Sequence, residues 1–182
     1  MEVRRALAEQ YHAALAMLQD CIQKCPEKLW SNPDPPFDEG DRIIHRAFWR
    51  IAYHAVYFTH LYIGPSVAEF KPWPDRRPGY FDAMWLEGWE IEPFEFPADA
   101  VPISKAELLA YVKYLDGQMD VLLEVVDLES PESGVPWYKN FPKLNHELLT
   151  LRHLQGHVGQ LSEILHSNGV DTQWISRVHP FR

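Results

Sequence analysis

His153 and His157 stand four residues apart in the apolar-periodic run LNHELLTLRHLQGHVGQLSEILH, Leu144 to His166. On an α-helix, positions i and i+4 lie about 40° apart around the axis and about 6 Å apart along it, so both imidazoles can face one ion. A third nitrogen donor, His54, lies inside a second apolar run, HRAFWRIAYHAVYFTHLYI. On a helical wheel His54 shares the stripe of Ile51 and Phe58, whereas His60 falls nearly opposite Ile51, with Tyr53 and Tyr57. A lone histidine on such a face is more often hydrogen-bonded packing than a ligand. A pair on one inward face, with a third donor available, points to a shared cation, because each buried ring must recover its lost hydration.

The spacing alone is a weak signal in a chain with nine histidines. Leu154 follows His153 directly, so the glutamate of the HExxH zinc-protease motif is missing and the helix carries no general base. His146, one heptad before His153, competes for the same face, but its place at the helix start predicts solvent exposure and leaves it outside the ligand set. Three neutral imidazoles leave a divalent ion its full charge and an open coordination place. Zinc would bring bound water to a pKa of about 7 and hold a bound thiol as thiolate. Zinc is the first expectation, with nickel or iron as alternatives, since imidazole suits them all.

Four amphipathic helices must position these residues. The first is expected from Val3 to Cys25, with Val3, Leu7, Tyr11, Ala14, Leu18 and Ile22 on one stripe and Pro26 at its end. The second is expected from Asp41 to Ile63, carrying Ile44, Ala47, Ile51, His54, Phe58 and Leu61 inward and stopping at Gly64-Pro65. The third starts at the N-cap Ser104, with Glu107 three residues on as a capping box, and carries Leu108, Val112, Leu115, Met119, Leu122 and Val126. The last begins near Leu144 and offers Leu151, Leu154, Leu161 and Leu165. These elements predict an all-α, four-helix bundle forming a single domain over residues 1–182.

Antiparallel neighbours need only about two to eight connecting residues, whereas about 40 separate the second helix from the third. The segment 64–103 is therefore expected to cross over, making those helices parallel in an up-down-down-up arrangement. With Trp73, Trp85 and Trp89 it is too aromatic for a free linker and should pack on the bundle, Tyr80 to Trp89 as a short helix. Trp137, Tyr138 and Phe141 in SPESGVPWYKNFPK are expected to close the same end.

Seventeen basic against 26 acidic residues give a net charge of −9, with no basic cluster longer than Arg76-Arg77, which disfavours nucleic-acid partners. No stretch reads as a signal peptide or membrane span, and Cys21 and Cys25, four apart in the first helix, read as reduced core thiols, so a cytoplasmic protein is expected. The stripe Trp49, Tyr53, Tyr57 and His60 offers either a homodimer face or a surface for the crossover.

His54 in the second helix, His153 and His157 in the fourth, and the string HLQGHVGQL with Gly159-Gln160-Leu161 after the second histidine together resemble the DinB-like superfamily. The likeness runs from the first helix to about His166. It implies a metal-binding bundle in which His54, His153 and His157 hold a divalent ion, and a thiol-dependent transferase acting with a low-molecular-weight thiol. Gln160, one turn after His157, would orient a water or a ligand, or simply pack as an amide. The alternatives are a hydrolase using metal-bound hydroxide, with Glu87, Glu90, Glu92 or Glu95 as proton acceptor, and a nonenzymatic metal- or ligand-binding bundle. The aromatic crossover and the tail NGVDTQWISRVHPFR depart from the family pattern and would shape the substrate.

Overall fold

A computed structural model of the chain describes residues 3–31, 37–38, 43–44, 47–77 and 100–177. The architecture is all-α. Four long helices, α1 (Val3–Lys24), α3 (Phe48–Tyr62), α4 (Lys105–Val125) and α5 (Lys143–His166), are joined by the one-turn α2 (Glu27–Trp30) and a 3-10 turn at Val67–Glu69. The two-residue strands β1 (Phe37–Asp38) and β2 (Ile43–Ile44) form an antiparallel ladder. No helix among the described residues is long and apolar enough to cross a membrane.

Helix α1 buries Leu7, Tyr11, Ala14, Leu18 and Ile22 at the expected steps, although Val3 is half exposed. Its stripe packs against α4 and α5. Arg4 binds the carbonyls of Leu123 and Val126 near the end of α4, while Lys105 at the start of α4 binds the Cys25 carbonyl and pairs with Glu27 at 2.6 Å. Cys21 and Cys25 are buried free thiols, Cys21 lying 3.4 Å from Ser162 on α5.

The second long helix is shorter than its sequence pattern suggests, beginning at Phe48 and not at Asp41. Ile43 and Ile44, β-branched residues that suit strands, pair instead with Asp38 and Phe37 in the ladder. Ile44 thus leaves the inward stripe, and Ala47 becomes the N-cap. Within α3 every residue is buried except His54. The proposed outer stripe is therefore interior: Tyr53 packs on Tyr111 at 5.8 Å, Tyr57 on Phe70 at 6.0 Å, and His60 bonds the Tyr111 hydroxyl at 2.9 Å. Helix α4 and the start of the crossover cover it, as the second of the two expected readings has it.

Ser104 and Glu107 form the expected reciprocal cap of α4, the Glu107 amide donating to Ser104 Oγ at 3.2 Å and the Ser104 amide to Glu107 Oε2 at 2.9 Å. Arg77 grips the same carboxylate at 2.8 and 2.9 Å, tying the crossover to the start of α4. Trp73 stacks on Tyr111, centroids 4.8 Å apart, so the described part of the crossover packs on the helices. Near the C-terminal end of α4, Leu123 takes the buried place expected for Leu122. The short helix expected over Tyr80 to Trp89 lies outside the described residues.

Helix α5 buries Leu154, Val158, Leu161 and Leu165, with Leu151 only partly buried. At its start Lys143 reaches the Tyr62 and Gly64 carbonyls at the end of α3. Beyond it the tail lies along α1, where the Gln173 amide donates to Asp20 at 3.0 Å and Gln10 to the Ser176 carbonyl at 3.4 Å.

Candidate metal centre

Packing of α3 against α5 brings His54, His153 and His157 together. His54 Nε2 lies 3.0 Å from His153 Nε2, which lies 2.9 Å from His157 Nε2. The three donor atoms all fall within 4.8 Å of one another, the one such group of three or more among the described residues. Phe58, one turn after His54, packs beneath at 4.4 Å from the His54 ring and 6.1 Å from that of His153.

Hydrogen bonding alone satisfies this triangle poorly, since one His153 Nε2 must serve two neighbours. A central cation would accept all three lone pairs. With metal–nitrogen bonds of about 2.0–2.1 Å, tetrahedral ligand atoms sit about 3.3 Å apart, within about half an ångström of the His54–His153 and His153–His157 separations. The residues therefore fit a divalent ion. His153 Nδ1, on the far side of its ring, is buried without a hydrogen-bond partner among the described residues.

Electrostatics keep the donors neutral. Burial, then the neighbouring His157 and His153, holds His54 well below the usual imidazole range. Burial and His157 bring His153 to about 3, and burial lowers His157 against the opposing bond to Gln160. An ion would thus meet unprotonated ligands at neutral pH. Gln160 Oε1 lies 2.7 Å from His157 Nδ1. A carbonyl oxygen only accepts, so Nδ1 carries the hydrogen and the Nε2 lone pair faces the cluster.

The site is approachable. His54 is the single residue of α3 with appreciable solvent contact. The carboxylates considered on the crossover, Glu87, Glu90, Glu92 and Glu95, lie outside the described residues.

His146 stands apart from the triad, as expected, but for a different reason. It is fully buried, boxed by Tyr62 at 5.1 Å, Tyr138 at 5.2 Å and Phe141 at 6.4 Å. The loop before α5 folds over the helix start that sequence reasoning left in solvent. Burial, with Lys143 nearby, pushes this imidazole down to about 4, and neither ring nitrogen has a hydrogen-bond partner among the described residues.

Beside it lies an ionic group that the sequence reading missed. Lys143 donates to the carbonyls of Tyr62 at 3.2 Å, Gly64 at 2.6 Å and Ser133 at 3.0 Å, and Glu147 Oε1 lies 3.3 Å from its Nζ. Tyr11 donates to Glu147 Oε2 at 3.0 Å. The signal was present, since the apolar stripe of Leu154, Val158, Leu161 and Leu165 runs backward through Thr150, Glu147 and Lys143. No family model, curated protein or solved structure matches this chain.

Proposed function

We propose that this chain is a divalent-metal-dependent enzyme of the DinB-like kind, a thiol-dependent S-transferase that activates a low-molecular-weight thiol at His54, His153 and His157. Zinc is the first candidate, with nickel or iron as alternatives. The carrying observation is the convergence of three neutral Nε2 atoms from two helices at 2.9 and 3.0 Å. A divalent ion held there by neutral ligands alone would keep a thiol sulfur in its nucleophilic thiolate form. Gln160 fixes the His157 ring, Phe58 supplies the apolar floor, and the solvent contact of His54 gives an electrophilic partner access. A hydrolase would need a proton acceptor beside the ion, and its candidates Glu87, Glu90, Glu92 and Glu95 lie outside the described residues.

The same reading takes residues 1–182 as one four-helix-bundle domain of up-down-down-up topology. Contacts of Arg4 with Leu123 and of Lys105 with Cys25 support opposed α1 and α4, and those of Lys143 with Tyr62 support opposed α3 and α5. The pairs Tyr11–Glu147 and Cys21–Ser162 support parallel α1 and α5.

Elemental analysis of untagged protein should find near-stoichiometric metal that is lost in His157→Ala. Joining of a thiol panel to an electrophile panel should then be faster with loaded than with metal-free protein. Equal rates would eliminate the transferase mechanism, while retained metal in His54→Ala and His153→Ala would eliminate the site. Stoichiometric metal with no turnover would favour a nonenzymatic bundle.

A further inference from the structure

Helix α5 presents the metal ligands toward α3, and its other flank borders a separate recess. This recess, about 580 Å³ in volume, lies between α1, α5 and the segment after α5. That volume is within the range of small-molecule sites, about 300–1,000 Å³. Ala13 and Ala14 floor it, their short side chains leaving the space open, and Met17 and Leu151 give apolar walls.

Two features give the recess a distinct chemical character. Trp174 on its border is 79% exposed and Leu148 51% exposed, although large apolar side chains gain most from being covered. Arg152 is the one charged residue in the lining, in a chain of net charge −9, and it makes no hydrogen bond or ion pair among the described residues. An apolar cleft with one unpaired guanidinium and no acidic side chain in its lining complements a molecule with an apolar body and one anionic end.

We propose that this recess binds a small carboxylate with an aromatic or aliphatic body, the body resting on Ala13, Ala14, Met17 and Trp174 and the carboxylate pairing with Arg152. The site is independent of metal, because its lining contains none of the three histidines. Gly156, also in the lining, gives a mild way to block it. A side chain there stands in open space, and replacing a mid-helix glycine favours the helix.

The test is an amide NMR titration with 3-phenylpropanoate and its neutral counterpart, 3-phenylpropanamide. Saturable shifts confined to residues 10–17, 148–156 and 174–176 are expected, with a Kd of about 1 mM for a ligand of this size. The acid should bind about fivefold tighter than the amide, and Arg152→Gln should erase that preference. Gly156→Leu, with its helix content verified by circular dichroism, should weaken both ligands about tenfold, whereas His54→Ala should leave both unchanged. Absence of saturable shifts, shifts centred elsewhere, equal affinity for acid and amide, or indifference to both α5 variants would overturn the proposal.

Discussion

Replacing Lys143 by methionine keeps the length of the side chain and removes its charge, and the loss depends on pH. Lys143 is only 2% exposed, and its ammonium serves three backbone carbonyls and Glu147. Removing one partner of a buried ion pair typically costs about 3–5 kcal/mol, because the other charge is left unpaired. Part of that loss is recovered wherever Glu147 can take a proton. Burial already lifts the Glu147 carboxyl from 4.5 to about 7, with Lys143 and Tyr11 pulling the other way, so it rises further once Lys143 is gone. A carboxyl raised in the folded state lends stability that is fully present below 4.5 and lost as pH climbs through its folded value. The variant should therefore lose about 4 kcal/mol at pH 8 but only about 2 kcal/mol at pH 5.5, where mainly the carbonyl bonds are missing. For a domain of this size the larger loss lowers Tm by about 10 °C. Urea unfolding followed by circular dichroism at both pH values, with metal content held constant, reads the difference. Equal losses at the two pH values, or a loss below about 1 kcal/mol at pH 8, would refute the assignment.

Gly134→Ala should destabilise by about 2–4 kcal/mol, since Gly134 has φ of 77° and a Cβ there would strike the Pro65 carbonyl oxygen; chemical denaturation measures it. Gln160→Leu should weaken metal affinity about tenfold or more by freeing the His157 ring, and unchanged affinity in a chelator competition would show that the amide only packs. His12 is raised above 6.5 chiefly by its 2.6 Å bond to Asp116, so it lends stability that is present below 6.5 and lost as pH rises through the raised value. Asp116→Asn should lower the His12 pKa in an NMR titration and flatten that dependence. The effect on stability should be small, because the Asp116 carboxylate is about half exposed.

Periodicity and capping chemistry located α1, α4 and α5 to within a residue or two, since their apolar stripes end at Pro26, start at Ser104 or follow Pro142. The triad was legible for the same reason: a helical wheel fixes which residues share a face, and His54, His153 and His157 each share one with core leucines or phenylalanine. A wheel says nothing of how much of the circumference is covered. Trp49, Tyr53, Tyr57 and His60 looked like an outer stripe because Ile51 and Phe58 defined an inner one, yet α4, Phe70 and Trp73 close the other side. His146 was hidden by a long-range event, the folding of the 133–141 loop over the α5 start, whereas Lys143 lay on the backward continuation of the α5 stripe and was legible there. The start of α3 was misplaced because Ile43 and Ile44 suit a helix stripe and a strand pair equally well by spacing alone.

The burial of α3 on every side but one has a kinetic consequence. Amides of a helix with solvent contact at a single residue exchange with solvent deuterium chiefly through the larger openings of the domain, whereas those of α5, with one side in water, can open a turn at a time. His54 is thus mounted on the slowest-opening element and His153 and His157 on a faster one. Any ligand bridging them should act as a clasp, slowing exchange along α5 toward the rate of α3 while leaving α3 almost unchanged.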